Sequence, residues 1–261
     1  MSVYVVASGK GGVGKTIFTL NAGAALSALE VKTLIIDCDI AMANLAQVVN
    51  VDSKNEYTLQ EVLAREVTMQ DAIHHTAYGV DVVLSSVSIE KFLHADMAKL
   101  SEVLAEVVDR YELILLDTAT GICQELLISL SVCDEAILIV NPEFPSIVDA
   151  QKIRLIADNT GTPVKGVVIN RVKGIKGELG AQNVADLFVL DVLGVIPEDK
   201  AMANAVTSKT PLVVKEPNSP AAKMITAVVK KIAHKGEEIK EGETAVAGEK
   251  RRIKKLFGRK K

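Results

Sequence analysis

A chain of 261 residues, 49% of them hydrophobic, is long enough to bury one substantial core, so a single α/β domain is the expectation. Aromatics are only 3% and Trp is absent while Val, Ile, Leu and Ala abound, which suits buried parallel strands covered by helices. The formal net charge of −3 is unevenly spread: eight basic residues and one acid from Glu249 onward leave about −10 on residues 1–248, and so acidic a body disfavours sequence-independent DNA binding, which needs clustered cations.

In chain order, the apolar run Val3–Ala7 predicts a strand that leads into Gly9-Lys10-Gly11-Gly12-Val13-Gly14-Lys15-Thr16. This meets G-x-x-x-x-G-K-[ST], a phosphate-binding loop, with an additional lysine at its second position. Glycines let successive N–H groups point inward, because a Cβ would block the turn and the approach of phosphates. Lys15 supplies a point charge, the Thr16 hydroxyl can reach a magnesium ion, and the helix that follows favours an anion at its N-terminus. That helix is predicted from about Lys15 to Leu29, with Asn21, Gly23 and Ala24 allowing close packing. Thr33–Ile36 reads as a strand ending at Asp37, and alternation would put Asp37 and Asp39 on one side, able to orient a water and contact a metal. Acids after strands also commonly cap the next helix.

Short helices are predicted at Leu59–Arg65 and Met69–Ala72, a strand at Val80–Ser85 and a helix over Ala95–Arg110. The strand Leu113–Leu116 ends at Asp117, placed as a carboxylate that orders magnesium through water. Strands follow at Ala136–Val140, Val167–Asn170 and Leu193–Ile196, with helices at Ile147–Ala157 and Ala221–Ala233. Repetition of strand, helix, strand implies a P-loop NTPase-like α/β fold, a mostly parallel sheet with helices on both faces. Ligands of such sheets sit at the carboxyl ends of the strands, where Asp37, Asp117 and Asn170 converge on the phosphate loop.

Cys38, Cys123 and Cys133 show no C-x-x-C pair and no metal-ligand spacing, so buried reduced thiols are expected, and the four histidines assemble nothing. No apolar run approaches the roughly 18 residues of a membrane span. Val3–Ala7 is too short for a signal peptide, so an intracellular protein is expected. Residues 235–248 read as a charged, glycine-punctuated linker. In the basic tail, residues 249–261, Ile253, Leu256 and Phe257 would share one helical face ringed by cations, the composition of an interfacial amphipathic helix.

Gly9–Thr16 with Lys10, Asp37-x-Asp39 followed by Asn44-Leu45, and Asp117 with Gly121 together resemble the MinD/ParA group of deviant-Walker P-loop ATPases. The stretches DEAILIVNPEFPSIVDAQKI (134–153), GVVINRV (166–172) and GVIPEDKAMANAVTSKTPLV (194–213) are similar to its MinD-like branch, over residues 1–233 in all. The resemblance implies an ATPase domain at 1–234 that binds ATP or ADP with Mg2+, Thr16, Asp39 and Asp117 serving the metal. It implies that Lys10 reaches a partner's phosphates in an ATP-dependent homodimer, that Asp39 positions the attacking water with Asp37 in the same switch segment, and that Asn170, Arg171 and Pro197 lie against adenine. It also implies reversible attachment to the inner face of the cell membrane through the tail and an activating or cargo protein, with positioning of a division site or another polar structure as the output. DNA is not expected as a partner; ParA-like partitioning and an ATP-binding adaptor with little turnover are the alternatives. Ile17 stands where the family often has a second threonine, Ala119 and Thr120 alter the common D-x-P-A-G, and Ala41 replaces a frequent glycine.

Overall fold

The computed structural model describes residues 1–51 and 56–233. Eight strands form one sheet: β1 (Ser2–Ala7), β2 (Thr33–Asp37), β3 (Ile73–His75), β4 (Asp81–Val83), β5 (Leu113–Asp117), β6 (Glu135–Val140), β7 (Val164–Val172) and β8 (Val192–Pro197). Their order is β3-β4-β2-β5-β1-β6-β7-β8, and every pair is parallel except the antiparallel edge pair β3–β4.

The strands read as unbroken apolar runs because both faces of the sheet are covered. The pleat still sorts them. Val3, Val5 and Ala7 of β1, Leu34 and Ile36 of β2, and Ile114 and Leu116 of β5 face one core, with the helices Gln124–Val132 and Phe144–Thr160. Tyr4 and Val6, Ile35, and Leu113 and Leu115 face the other, beneath the helix α1 (Lys15–Ala28) and the helix Pro220–Ala233. Gly23 lets α1 lie close on β2: a Cβ there would sit 2.6 Å from Ile35 Cδ1.

Pro220–Ala233 runs from the carboxyl edge of the sheet to the amino edge. Near its start Ala221 N–H donates to Asp199 beyond β8, and near its end Lys231 Nζ donates to the Leu193 carbonyl at the start of β8. The chain therefore leaves this helix on the edge away from the phosphate loop.

Three expectations change. The helix expected over Ala95–Arg110 is three short pieces, Met97–Lys99, Leu100–Leu104 and Val108–Arg110. Between them Glu106 and Val107 donate to carbonyls three residues back, and the β-branched Val107 and Val108 favour that tighter exit. The strand at Val80–Ser85 shortens to Asp81–Val83, because the chain then turns to hydrogen-bond elsewhere: Leu59 N–H takes the Leu84 carbonyl and Ser85 Oγ donates to Asp37 O. β3 was not expected, since three residues ending in His74-His75 carry no pattern. Among the described residues no helix is long and apolar enough to cross a membrane.

Candidate functional site

The glycine loop connects β1 to α1 at the carboxyl edge of the sheet. Gly12 and Gly14 have φ of 76° and 92°, the left-handed region that costs glycine nothing. Close approach constrains the loop further: a Cβ on Gly9 would lie 2.3 Å from the Asp149 carbonyl carbon, and one on Gly14 2.5 Å from Asn170 Nδ2. Gly14 caps α1 with no side-chain hydrogen bond, so the first-turn N–H groups, which have no acceptor inside a helix, remain for an anion.

Lys15 is buried, and its Nζ lies 3.0 Å from Asp117 Oδ1. The Thr19 hydroxyl, one turn along α1, is 3.2 Å from the same oxygen. Asp117 Oδ2 is buried with no hydrogen-bond partner. An orphaned carboxylate oxygen is costly unless something polar meets it. With the Thr16 hydroxyl residue lining the adjacent cavity, this donor set fits a magnesium ion.

Asp37 and Asp117 end neighbouring strands in direct register. Asp37 is fully buried, and its two oxygens accept the N–H groups of Asp39 at 3.2 Å and Leu45 at 3.1 Å. It thereby braces the turn over residues 38–45 and closes the start of the helix Leu45–Val48. Asp39 accepts from Met42 N–H at 3.2 Å and from Asn44 Nδ2 at 3.4 Å. The two carboxylates thus meet groups of the turn that follows rather than sharing one open face. Burial, with the Asp117 charge second, pushes the Asp37 carboxyl up to about 8, and burial also raises that of Asp39 against the pull of Lys15. Because the folded pKa of Asp37 exceeds its unfolded value, the proton's stabilising contribution is full below the unfolded pKa and is lost as pH rises through about 8. The urea midpoint of the nucleotide-free protein is therefore expected to fall between about pH 4 and 8 and to level off above that. The Asp37→Asn profile should be lower, having lost one acceptor, but flatter; an equally steep profile would refute this origin.

A cavity of about 280 Å3 over the loop is lined by Lys15, Thr16, Asn44, Gln47 and Thr120. It shares Gly14, Ile17 and Arg171 with a cavity of about 470 Å3, walled by Ile196, Pro197, Asp199, Met202 and Val206. The pair forms one cleft, polar at the loop and more apolar beyond, the shape of a nucleotide's phosphates and base. Asn170 and Arg171 sit where the β7–β8 register shifts, and Arg171 has φ of 59°, a left-handed strain of roughly 1 kcal/mol or more. The Asn170 amide donates to the Val13 carbonyl at 2.7 Å, pinning the loop to the more apolar half of the cleft.

Lys10 points elsewhere. Its Nζ is 3.4 Å from Glu143 Oε2 at the surface, with side chains 44% and 57% exposed. Gly121 N–H donates to the Ser8 carbonyl, holding the segment after Asp117 beside Lys10.

Sequence reasoning missed four contributors. Thr19 was findable, four residues after Lys15 on the same helix. Glu143, Met202 and the buried Gln60 were not, because chain crossovers bring them in. Gln60 donates to the carbonyls of Ile40 and Ser86, coupling the turn after Asp37 to the chain after β4. Cys38 is buried and Cys123 and Cys133 are half-buried free thiols, and no cluster of three or more His, Cys, Asp or Glu residues able to hold a metal exists among the described residues. The linker at 235–248 and the tail with Ile253, Leu256 and Phe257 lie outside the described residues.

Residues 4–212 match the CobQ/CobB/MinD/ParA nucleotide binding domain model. An ATP-binding protein of Methanocaldococcus jannaschii is 39% identical over 257 residues, covering 97% of this chain and 96% of its own. The crystal structure of the cell division ATPase MinD of Pyrococcus furiosus superposes with a TM-score of 0.84 at 33% identity, covering 88% of this chain and 98% of that one. The septum site-determining protein MinD of Pyrococcus horikoshii, complexed with Mg-ADP, superposes with a TM-score of 0.84 at 31% identity, covering 88% and 95%.

Proposed function

The chain belongs to the CobQ/CobB/MinD/ParA nucleotide-binding family as a MinD-like ATPase, and from that premise we propose that it dimerises on ATP, attaches reversibly to an anionic membrane surface and so positions a division site or another surface structure. The observation that carries this reading is the split between its two loop lysines. Lys15 is buried against Asp117 inside its own cleft, whereas Lys10 lies at the surface, available to a second subunit.

In this reading residues 1–234 are the ATPase domain, 235–248 a linker and 249–261 a membrane-targeting tail. The loop N–H groups from Gly9 to Ile17 and Lys15 hold the phosphates, while Asn170, Arg171 and Pro197 border the base. Thr16, Asp39 and Asp117 would hold magnesium, which when bound neutralises phosphate charge. Asp39 orients water for hydrolysis to ADP, and Asp37 keeps the segment carrying Asp39 folded.

The tail supplies the address. Burying Ile253, Leu256 and Phe257 contributes ~4–6 kcal/mol before the cost of ordering the segment, and each basic residue adds on the order of 1 kcal/mol at an anionic surface. One copy binds weakly; two copies joined by ATP bind far better, because the second attachment is intramolecular. Support comes from the acidic body, which leaves the tail as the concentrated basic segment.

Sedimentation with anionic liposomes tests this. ATP should increase binding over ADP for the full chain, and ending the chain at Gly248 should abolish it. Binding indifferent to ATP or to truncation would overturn the membrane switch. Ile17, which lines both halves of the cleft without a hydroxyl, favours one second reading, a nucleotide-binding adaptor with little turnover. Single-turnover hydrolysis separates the two.

A further inference from the structure

Between α1 and Pro220–Ala233 lies a second groove of about 500 Å3, separate from the nucleotide cleft. Its floor is made of small residues, Ala24, Ala25 and Ala28 of α1 and Ala227 of the last helix. Leu29 and Val214, both exposed, wall it. Lys223 and Lys230 stand on its rim, two turns apart on one helix. Neither lysine is in an ion pair among the described residues, and no acid lines the groove.

Two unpaired cations over an apolar trough are unexpected in a body carrying about −10. The combination fits an amphiphile with an anionic head and a flexible hydrocarbon chain. Charge selects among occupants. The chain's own tail would bring eight basic residues against the two lysines, and a second copy in the same groove would set lysine against lysine. Position agrees: the groove ends at Lys230, three residues before Ala233, where the described chain leaves toward the tail.

We propose that this groove binds one anionic phospholipid, its phosphate between Lys223 and Lys230 and an acyl chain over the alanine floor. The proposal rests on the membrane reading above and adds a body contact to it. The tail sets whether the protein binds; the groove sets how the body lies on the surface.

The chain has no Trp, so Leu29→Trp places a single fluorophore at the groove wall of the full-length protein. With ATP and Mg2+, vesicles of phosphatidylcholine and phosphatidylglycerol carrying bromine on the phosphatidylglycerol acyl chains should quench it. Adding Lys223→Gln and Lys230→Gln should remove the quenching and weaken vesicle affinity by about tenfold. ATP-stimulated sedimentation should persist through the tail, and far-UV circular dichroism should be unchanged because both lysines are exposed. Sedimentation without quenching, or quenching indifferent to the lysines, overturns the groove and leaves the membrane reading intact. An emission shift that follows protein concentration without lipid makes the occupant a second copy and also overturns it. Failure of the full chain to sediment with ATP sinks both.

Discussion

Asp117→Asn is expected to lower single-turnover ATP hydrolysis by roughly 10²–10³-fold while costing the nucleotide-free fold only ~1–2 kcal/mol. The first effect follows from Asp117 Oδ2, a buried carboxylate oxygen with no hydrogen-bond partner, which in the proposed reading would help hold magnesium. The second is smaller than the ~3–5 kcal/mol usual for removing one partner of a buried ion pair. Lys15 does lose its counter-ion at 3.0 Å. Asp37, however, stands in register with Asp117, and its carboxyl is raised by burial first and by the Asp117 charge second. Asn at 117 keeps an oxygen to accept from Lys15 and Thr19, removal of its charge relieves one of the causes that raise Asp37, and Asp39, whose carboxyl feels the Lys15 charge, remains nearby. Urea midpoints at neutral pH measure the stability term, and rapid quench measures the chemical one. Turnover within threefold of the parent would remove Asp117 from the metal site.

That compensation shows where sequence reading stopped. The strands Val3–Ala7, Thr33–Ile36 and Leu113–Leu116 were legible because buried parallel strands leave β-branched runs, and the glycine loop was legible because only glycine tolerates its φ values and close approaches. That Asp37 faces Asp117 depends on β2 pairing with β5, not with its sequence neighbours, and no local pattern encodes strand order. The same limit hid Glu143 beside Lys10, a contact spanning 133 positions. Asn170 was placed in the cleft by motif, yet its hydrogen bond to Val13 could not be read, because it depends on a shift of register inside β7. The breaks in Ala95–Arg110 were lost for the opposite reason: apolar spacing persists through a change from four-residue to three-residue hydrogen bonding.

Lys10→Ala should separate the two things ATP does here. Lys10 is exposed and engages Glu143 rather than its own cradle, so ATP affinity of the isolated subunit should change by less than about threefold. If Lys10 instead supplies a cation to the partner's phosphates, turnover should fall by roughly 10²–10³-fold. An arginine delivered in trans is worth about 10³–10⁵, and a lysine lacks its bidentate fork. Glu143→Gln should act in the other direction. Losing a surface ion pair costs the subunit about 0–1 kcal/mol, and the same energy no longer has to be given up when Lys10 crosses to a partner. Turnover should then rise, by up to about fivefold, at protein concentrations where dimers are scarce, and converge with the parent where dimers are saturated. The concentration dependence is the discriminating measurement. A lysine acting within its own subunit would give rates proportional to protein at every concentration, and Lys10→Ala would weaken binding as much as turnover.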